Sequence, residues 1–308
     1  MQDRQARYAP PQNSSNAIVS IGNFDGVHIG HQAIIKRLAK EAKARNTTVG
    51  VITFEPHPLA VIQPAFQPFR ITNAVQKEFY LKQCGADWVW EIPFDVTMQK
   101  YSPQNFVSEF IRVISPHRIV VGRDFIFGHQ RSGNVALLEE LCAPMNVNVS
   151  TIDDIMAGKF RCSSSRIRDA ISAGKMRETT KWLGRPFTIK SAVEEGQKKA
   201  RELGFPTANL SLGIYIRPPY GVYAARVFFD GVKQDAIVNI GVRPTWGVLQ
   251  ECCEVHIFDF SRNLYGQKLE VQLLHHMRPE QKFSGPEALK IQIAQDCIEA
   301  RKWLKINK

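Results

Sequence analysis

A change of pattern at Gly184-Arg185-Pro186 divides the 308-residue chain into two parts that require different folds. Residues 17–184 alternate between short apolar strand patterns and helix patterns, which predicts a parallel sheet with right-handed crossovers. From residue 185 to about His276, short strand and turn patterns follow one another without a clear helix, which predicts a small antiparallel barrel. We therefore expect an α/β domain over 17–184 and a barrel domain over 185–308.

Hydrophobic periodicity places the individual elements. The strands predicted for the first part are Ala17–Gly22, Thr47–Phe54, Asp87–Ile92, Arg118–Gly122 and Val147–Ile152, and the helices are Gly30–Arg45, Asn73–Cys84, Pro103–Val113, Ser163–Ala173 and Lys175–Leu183. The strands predicted for the second part are Phe187–Val193, Gly221–Phe229, Ala236–Ile240, Glu254–Phe260 and Leu269–Leu274. A terminal helix is expected from near Ser284, which forms a capping-box pattern with Glu287.

The N-terminal segment and the cysteines indicate an intracellular protein. Residues 1–16 are polar and lack the apolar core of a signal peptide, so we expect a short flexible leader on a cytoplasmic protein. No apolar run approaches the roughly 20 residues of a membrane span, so no membrane association is expected. The six cysteines form no C-x-x-C pair, which favours reduced thiols over a zinc site.

The net charge of +11 is divided almost evenly between the two parts, and no basic run of five or more residues occurs. A nucleic-acid-binding protein would concentrate its basic residues in a patch or tail, so this alternative is disfavoured. A protein that handles small polyanions such as ATP would carry the same general bias. Nothing in the pattern indicates an oligomeric state.

The segment from Ile21 to His31 has the composition of a phosphate-binding loop. It follows the first predicted strand and opens the first helix, and its glycines allow a ligand to approach the backbone closely. His28 and His31 lie one helical turn apart, so both imidazoles can stabilise charge on a phosphate. The alternative is a glycine turn with two surface histidines. The candidate phosphate-binding residues of this loop are Gly22, Asn23, Phe24, Asp25, Gly26 and Gly30.

The same segment, Gly22-Asn23-Phe24-Asp25-Gly26-Val27-His28-x-Gly30-His31, resembles the nucleotidylyltransferase signature of the bacterial bifunctional riboflavin kinase/FAD synthetase family. Further similar segments follow in the family's order: Thr53 to Pro58, Val121 to Gly128 with Arg131-x-Gly133, and Ser163 to Arg168, in which Ser165 replaces the usual threonine. The resemblance extends over nearly the whole chain beyond residue 16. It implies a Rossmann-like nucleotidylyltransferase domain at the N-terminus.

The resemblance also implies roles for residues of this domain. His28 and His31 would act on the phosphates of ATP, with Ser164 and Arg168 as further phosphate contacts. Flavin or base contacts are implied for Asp124, Phe125 and Arg131. The implied reaction is the adenylylation of FMN to FAD by ATP.

In the second part, Pro206-Thr207-Ala208-Asn209 resembles the metal-binding motif of the riboflavin kinase module. Thr207 and Asn209 would hold Mg²⁺ with ATP, since Mg²⁺ prefers oxygen ligands. Glu254 would deprotonate the 5′-hydroxyl of riboflavin. The remaining implied contacts are Gly204 and Lys199 for ATP, and Asn239 and Arg243 for the flavin.

The loop before Gly204 departs from the family pattern, because Lys198 and Ala200 stand where glycine is common. This leaves an alternative open: an enzyme that only makes FAD, with a weak kinase or a regulatory flavin-binding barrel. A different H-x-G-H nucleotidylyltransferase, acting on pantetheine phosphate or nicotinate mononucleotide, is disfavoured because it would not need the Pro206–Asn209 motif.

Overall fold

The computed structural model describes residues 9–152, 156–157, 160–195, 204–245 and 248–307. The chain divides into two compact units: residues up to Gln67 with Ala74–Ser164, and Pro68–Asn73 with the residues from Ser165 onward. Residues 165–183 therefore belong to the second compact unit. The predicted boundary at residue 184 divides the chain by function, and it stays a prediction.

The first unit contains a five-stranded parallel sheet with the order β3-β2-β1-β4-β5, as the strand–helix alternation predicts. Its strands are β1 Ile18–Ile21, β2 Val49–Glu55, β3 Trp88–Pro93, β4 Arg118–Gly122 and β5 Asn148–Ile152. A short antiparallel pair follows, β6 Met156–Ala157 and β7 Phe160–Arg161. The order reverses between β1 and β4, which places a topological switch point between these two neighbours.

Helices cover both faces of this sheet. They are α1 Ile29–Arg45, α2 Pro58–Ile62, α3 Ala74–Gln83, α4 Pro103–Phe106, α5 Arg112–Ile114 and α6 Val135–Cys142, with a π-helical turn at Val107–Ile111 and 3-10 turns at Pro64–Phe66, Met98–Lys100, His129–Arg131 and Ala143–Met145. Alternate residues of β4 enter two separate cores: Val120 packs with α1 and α3, and Val121 packs with α4 and α6. The sheet is thus the middle layer of three.

The second unit contains nearly all of α7 (Ser164–Ser172), then α8 (Met176–Leu183), a closed barrel and a terminal helix. The barrel order is β10-β11-β12-β9-β8-β13, and all of its recorded pairings are antiparallel. Its strands are β8 Phe187–Glu194, β9 Ala208–Leu210, β10 Gly221–Phe229, β11 Val232–Thr245, β12 Val248–Ile257 and β13 Lys268–Pro279. The predicted small antiparallel barrel with a terminal helix is confirmed.

The terminal helix, α9, spans Pro286–Ile306 and packs its apolar stripe, including Ala300 and Leu304, against the outside of the barrel. The predicted capping box at its start is wrong. Proline occupies the first helical turn, so the N-cap is Gly285, and no side chain caps the helix. Further along α9, the buried carboxylate of Asp296 accepts hydrogen bonds from Nε and Nη2 of Arg278 on β13, at 2.9 and 2.6 Å. This ion pair ties the helix to the barrel.

A buried lysine supports the edge of the sheet in the first unit. Lys77 on α3 is 1% exposed, and its Nζ lies 3.1 Å from the Phe54 carbonyl, 3.1 Å from Glu55 Oε2 and 3.7 Å from Glu91 Oε1. Removing one partner of a buried ion pair leaves the other charge uncompensated.

We expect Lys77→Met to lower the free energy of opening β2 and β3 by about 3 kcal/mol. Native-state hydrogen exchange of the amides in these two strands measures it. The matched control is Lys82→Met on the same helix, which loses an exposed pair with Glu78 and should change stability by less than about 0.5 kcal/mol. Equal effects of the two substitutions would contradict this assignment.

The six cysteines are free thiols and differ in accessibility. Burial raises the pKa of Cys142 and Cys297 to about 11 and that of Cys253 to about 12, while Cys84 and Cys252 are only half-buried. Because the thiolate is the reactive form, a raised pKa keeps a thiol unreactive until the pH approaches that pKa.

Iodoacetamide at pH 8 should therefore label Cys84 and Cys252 in the native protein well before the buried thiols. Peptide mass spectrometry of the quenched reaction gives the order, and labelling in denaturant is the control in which all six react. Early native labelling of Cys253 would be inconsistent with its burial.

Candidate active sites

The first candidate site is the loop between β1 and α1, residues 22–28. Phe24 and Val27 have positive φ angles of 51° and 38°, and both side chains are buried. Such angles are strained for a side chain of this kind and persist only where the surroundings hold the backbone. Gly26, with φ 82°, takes the left-handed conformation without that cost. The surrounding structure therefore holds the loop backbone in a strained conformation ahead of the helix.

The two histidines lie at the start of α1. His28 is the N-cap, and its Nδ1 accepts a hydrogen bond from the His31 backbone N–H at 3.3 Å. With Nδ1 as an acceptor, the ring proton of neutral His28 lies on Nε2, which is the remaining donor. The imidazoles stack with centroids 3.6 Å apart, and Phe24 contacts the His31 ring edge-on at 5.0 Å. Both rings are therefore fixed side by side.

Two further segments meet this loop at the carboxyl ends of the strands. Ser164 donates its hydroxyl to the Asp25 carbonyl at 2.9 Å, and Thr53, two residues before the end of β2, donates to the Asn23 carbonyl at 3.2 Å. Asn23 itself is exposed, whereas Asp25 is buried. Thr53 is a supporting residue that the sequence analysis did not single out within its motif. Its position as a polar residue near the carboxyl end of a buried parallel strand is the signal that could have identified it.

The predicted flavin contacts follow β4, on the other side of the switch point. Asp124 is exposed and forms an ion pair with Arg161 at 2.7 Å. Phe125 stacks on Phe127 with centroids 5.5 Å apart. Arg131 is exposed in the turn that the mutual backbone bonds of Phe127 and Gly133 close. We call the segment from Gly22 to His31 the histidine loop. Because β1 and β4 are neighbours, the histidine loop and the loop that carries Phe125 and Phe127 lie at the same edge of the sheet.

Arg168, the other predicted phosphate contact, lies in the second unit. Its Nε donates to the Phe69 carbonyl at 3.0 Å, and its guanidinium lies 5.2 Å from the centre of the Phe69 ring. The side chain is therefore fixed by Phe69, and its contact with phosphate stays a prediction.

The second candidate site is a row of polar side chains across four neighbouring strands of the barrel. Glu254 on β12 pairs with Asn239 on β11 and with Asn209 on β9, and Asn209 pairs in turn with Glu194 on β8. Residues directly opposite in a sheet point to the same face. The flanking residues Cys253 and Val255 are buried on the opposite face, inside the barrel. We call Asn239, Glu254, Asn209 and Glu194 the polar row.

A cleft of about 410 Å³ reaches one member of this row, Asn209. Thr207 and Asn209 both line it, together with the segment from Phe260 to Tyr265. His256 holds the turn that carries them, since its Nδ1 donates to the Pro206 carbonyl at 2.8 Å. Gly204, at the start of this turn, has φ 91°, a conformation that favours glycine.

The oxygen donors of this site suit a hard divalent cation. The Thr207 hydroxyl, the Asn209 amide oxygen and a carboxylate of the polar row are the ligand types that Mg²⁺ takes alongside phosphate oxygens. Among the described residues, no group of three or more His, Cys, Asp or Glu side chains could hold a metal without other ligands. The residues thus fit a cation that arrives with a nucleotide.

Two predicted contacts lie wholly or partly outside the described residues. Lys199, with the neighbouring Lys198 and Ala200, lies outside the described residues. Arg243 belongs to β11, where its backbone pairs with Gln250, but its side chain is not described. In the part of the chain that the structure describes, no helix is long and apolar enough to cross a bilayer.

Comparison with protein families identifies two domains along the chain. The FAD synthetase family profile matches residues 10–166, which include the histidine loop, and the riboflavin kinase profile matches residues 183–304, which include the polar row. The chain is therefore an ATP-using enzyme with an FAD synthetase domain and a riboflavin kinase domain.

Full-length relatives combine the same two domains. The bifunctional riboflavin kinase/FMN adenylyltransferase of Escherichia coli (strain K12) is 36% identical and covers 94% of both chains. The protein of this name from Buchnera aphidicola subsp. Schizaphis graminum is 37% identical, over 95% of this chain and 96% of its own. The chain belongs to the bifunctional riboflavin kinase/FMN adenylyltransferase family, as its motifs predict.

A solved structure agrees in fold. A crystal structure from Streptococcus pneumoniae, described as a macrolide-efflux protein, matches with a TM-score of 0.84 and 29% identity over 97% of each chain. Its description names efflux, whereas the family profiles and the curated relatives name flavin chemistry.

Proposed function

We propose that the barrel phosphorylates riboflavin at the polar row. The Glu254 carboxylate takes the proton of the riboflavin 5′-hydroxyl as that oxygen attacks the γ-phosphorus of ATP. The bond between this phosphorus and the β,γ-bridging oxygen breaks, and FMN and ADP are formed. The observation that carries this proposal is the strand register, which places Glu254 between Asn239 and Asn209. We assign Asn239 to the flavin and Asn209 to the nucleotide and its cation.

The second reaction takes place at the histidine loop of the first unit. A phosphate oxygen of FMN attacks the α-phosphorus of a second ATP, the bond to the α,β-bridging oxygen breaks, and FAD and pyrophosphate are formed. His28 and His31 neutralise the charge that develops on the leaving pyrophosphate. Their stacked arrangement at the start of α1 supports this role, because both rings are positioned before the substrate binds.

The kinase uses Mg²⁺, held by Thr207 and Asn209 together with the phosphates of ATP. When bound, the cation neutralises phosphate charge. Gly204 and Lys199 contact the same nucleotide, and Asn239 and Arg243 contact the flavin. For the adenylylation of FMN, we assign Ser164 and Arg168 to phosphate, and Asp124, Phe125 and Arg131 to the flavin or the base. We place the protein in the cytoplasm, because its cysteines are free thiols and thiols stay reduced in that compartment.

Separately labelled ATP tests both assignments. With riboflavin and ATP labelled in the γ-phosphate, the label should appear in the 5′-phosphate of FMN. With FMN and ATP labelled in the α-phosphate, it should appear in FAD, with unlabelled pyrophosphate released. Label from the γ-phosphate that never enters a flavin would overturn the kinase assignment and favour an enzyme that only makes FAD.

A further inference from the structure

We propose that Glu194 supplies a carboxylate oxygen to the cation of the kinase site, directly or through one bound water. This inference rests on the proposed metal site at Thr207 and Asn209. Neither the sequence motifs nor the family roles described above include Glu194. It emerges only from the barrel register, because Glu194 is the last residue of β8 and pairs with Asn209 on β9.

The register brings Glu194 within reach of the site. Residues directly opposite in an antiparallel pair have Cβ atoms about 4.5–5.5 Å apart, on the same face of the sheet. Thr207 precedes β9 directly, and it lines the same cleft as Asn209. Asn209 is therefore flanked by a carboxylate on each side, Glu254 on β12 and Glu194 on β8.

The two carboxylates have different neighbours, which separates their roles. Glu254 lies between Asn209 and Asn239, so it can reach both the nucleotide side and the flavin side of the row. Glu194 pairs with Asn209 on the side away from Asn239, and it is exposed. A hydroxyl bound beside Asn239 can approach Glu254, whereas Glu194 adjoins the row through Asn209.

Charge explains why a carboxylate at this position points to a cation. A carboxylate beside a triphosphate is repelled by it, at a cost that water screens only in part. A divalent cation between them reverses the sign of the interaction. Thr207 and Asn209 are neutral ligands, and the affinity of an oxygen site for a divalent cation rises with the number of charged ligands. Glu194 would add that charge.

The test measures cation binding directly, with Mn²⁺ as the probe. Free Mn²⁺ is followed by electron paramagnetic resonance in the presence of ADP for the full chain, with protein-free Mn²⁺ and ADP as the background. The Mn²⁺ binding that is lost in Asn209→Ala is assigned to the barrel site. Glu194→Gln should weaken that fraction about tenfold and raise the Mg²⁺ concentration for half-maximal kinase activity.

Glu270→Gln is the matched control, since it removes a half-buried carboxylate, ion-paired with Lys190, from β13 of the same barrel and should leave Mn²⁺ affinity within twofold. If Asn209→Ala removes Mn²⁺ binding but Glu194→Gln leaves it unchanged, the metal site stands and Glu194 is not part of it. If Asn209→Ala also leaves Mn²⁺ binding unchanged, the proposed metal site itself is wrong, and the role of Glu194 fails with it.

Discussion

Replacing His28 and His31 together with alanine is expected to slow the conversion of FMN to FAD by at least about 100-fold, because charge on the leaving pyrophosphate loses its preformed donors. The riboflavin kinase activity of the same chain should stay within about twofold of the parent, since it belongs to the other domain. Steady-state assays with FMN and with riboflavin as separate substrates measure both effects.

The N-cap role of His28 must be separated from its chemical role. Loss of an N-cap costs about 1 kcal/mol of stability, and asparagine retains a capping acceptor. His28→Asn is therefore the matched control: it should keep the thermal stability of the parent but lose most of the FAD synthesis. Full FAD synthesis in His28→Asn, or in the double alanine variant, would contradict the assignment of the histidine pair.

Glu254→Gln should lower the kcat of riboflavin phosphorylation by about 10² to 10⁴-fold, because the amide cannot accept the proton of the 5′-hydroxyl. FAD formation from supplied FMN should be unaffected. Glutamine preserves the size of the side chain, so folding should be retained and the KM for ATP should change little. Glu270→Gln on β13 again serves as the control and should leave kcat within twofold. A Glu254→Gln enzyme with the kcat of the parent would show that another group takes the proton.

Much of the fold could be predicted from local sequence patterns. Arg118–Gly122 and Gly221–Phe229 have the predicted bounds, because both are apolar runs that end at clear turn residues. Elements that depend on distant partners were not predictable. The three-residue strand β9 is defined by its pairing with β12 and β8. The strand β11 extends over Val232–Thr245, because its ends also pair with the adjacent strands β10 and β12. The short helix α6 was missed, because it presents only one buried turn.

The candidate sites divide in the same way. The histidine loop lies within ten consecutive residues, so sequence spacing alone could indicate its phosphate chemistry. The polar row joins residues from four strands, and its geometry depends on their register. A shift of one residue in any of these strands would turn its side chain to the opposite face of the sheet. Motif resemblance indicated Glu254 and Asn209 separately. Glu194 carried no motif, and only its pairing with Asn209 identifies it.

The most direct test of the central claim is a time course in which the protein is incubated with riboflavin, ATP and Mg²⁺, and riboflavin, FMN and FAD are separated by chromatography. Two active domains predict that FMN rises first and that FAD follows as FMN is consumed. FAD from supplied FMN but no product from riboflavin would contradict the bifunctional account and leave FAD synthesis as the sole activity. No conversion of either flavin would contradict the account as a whole.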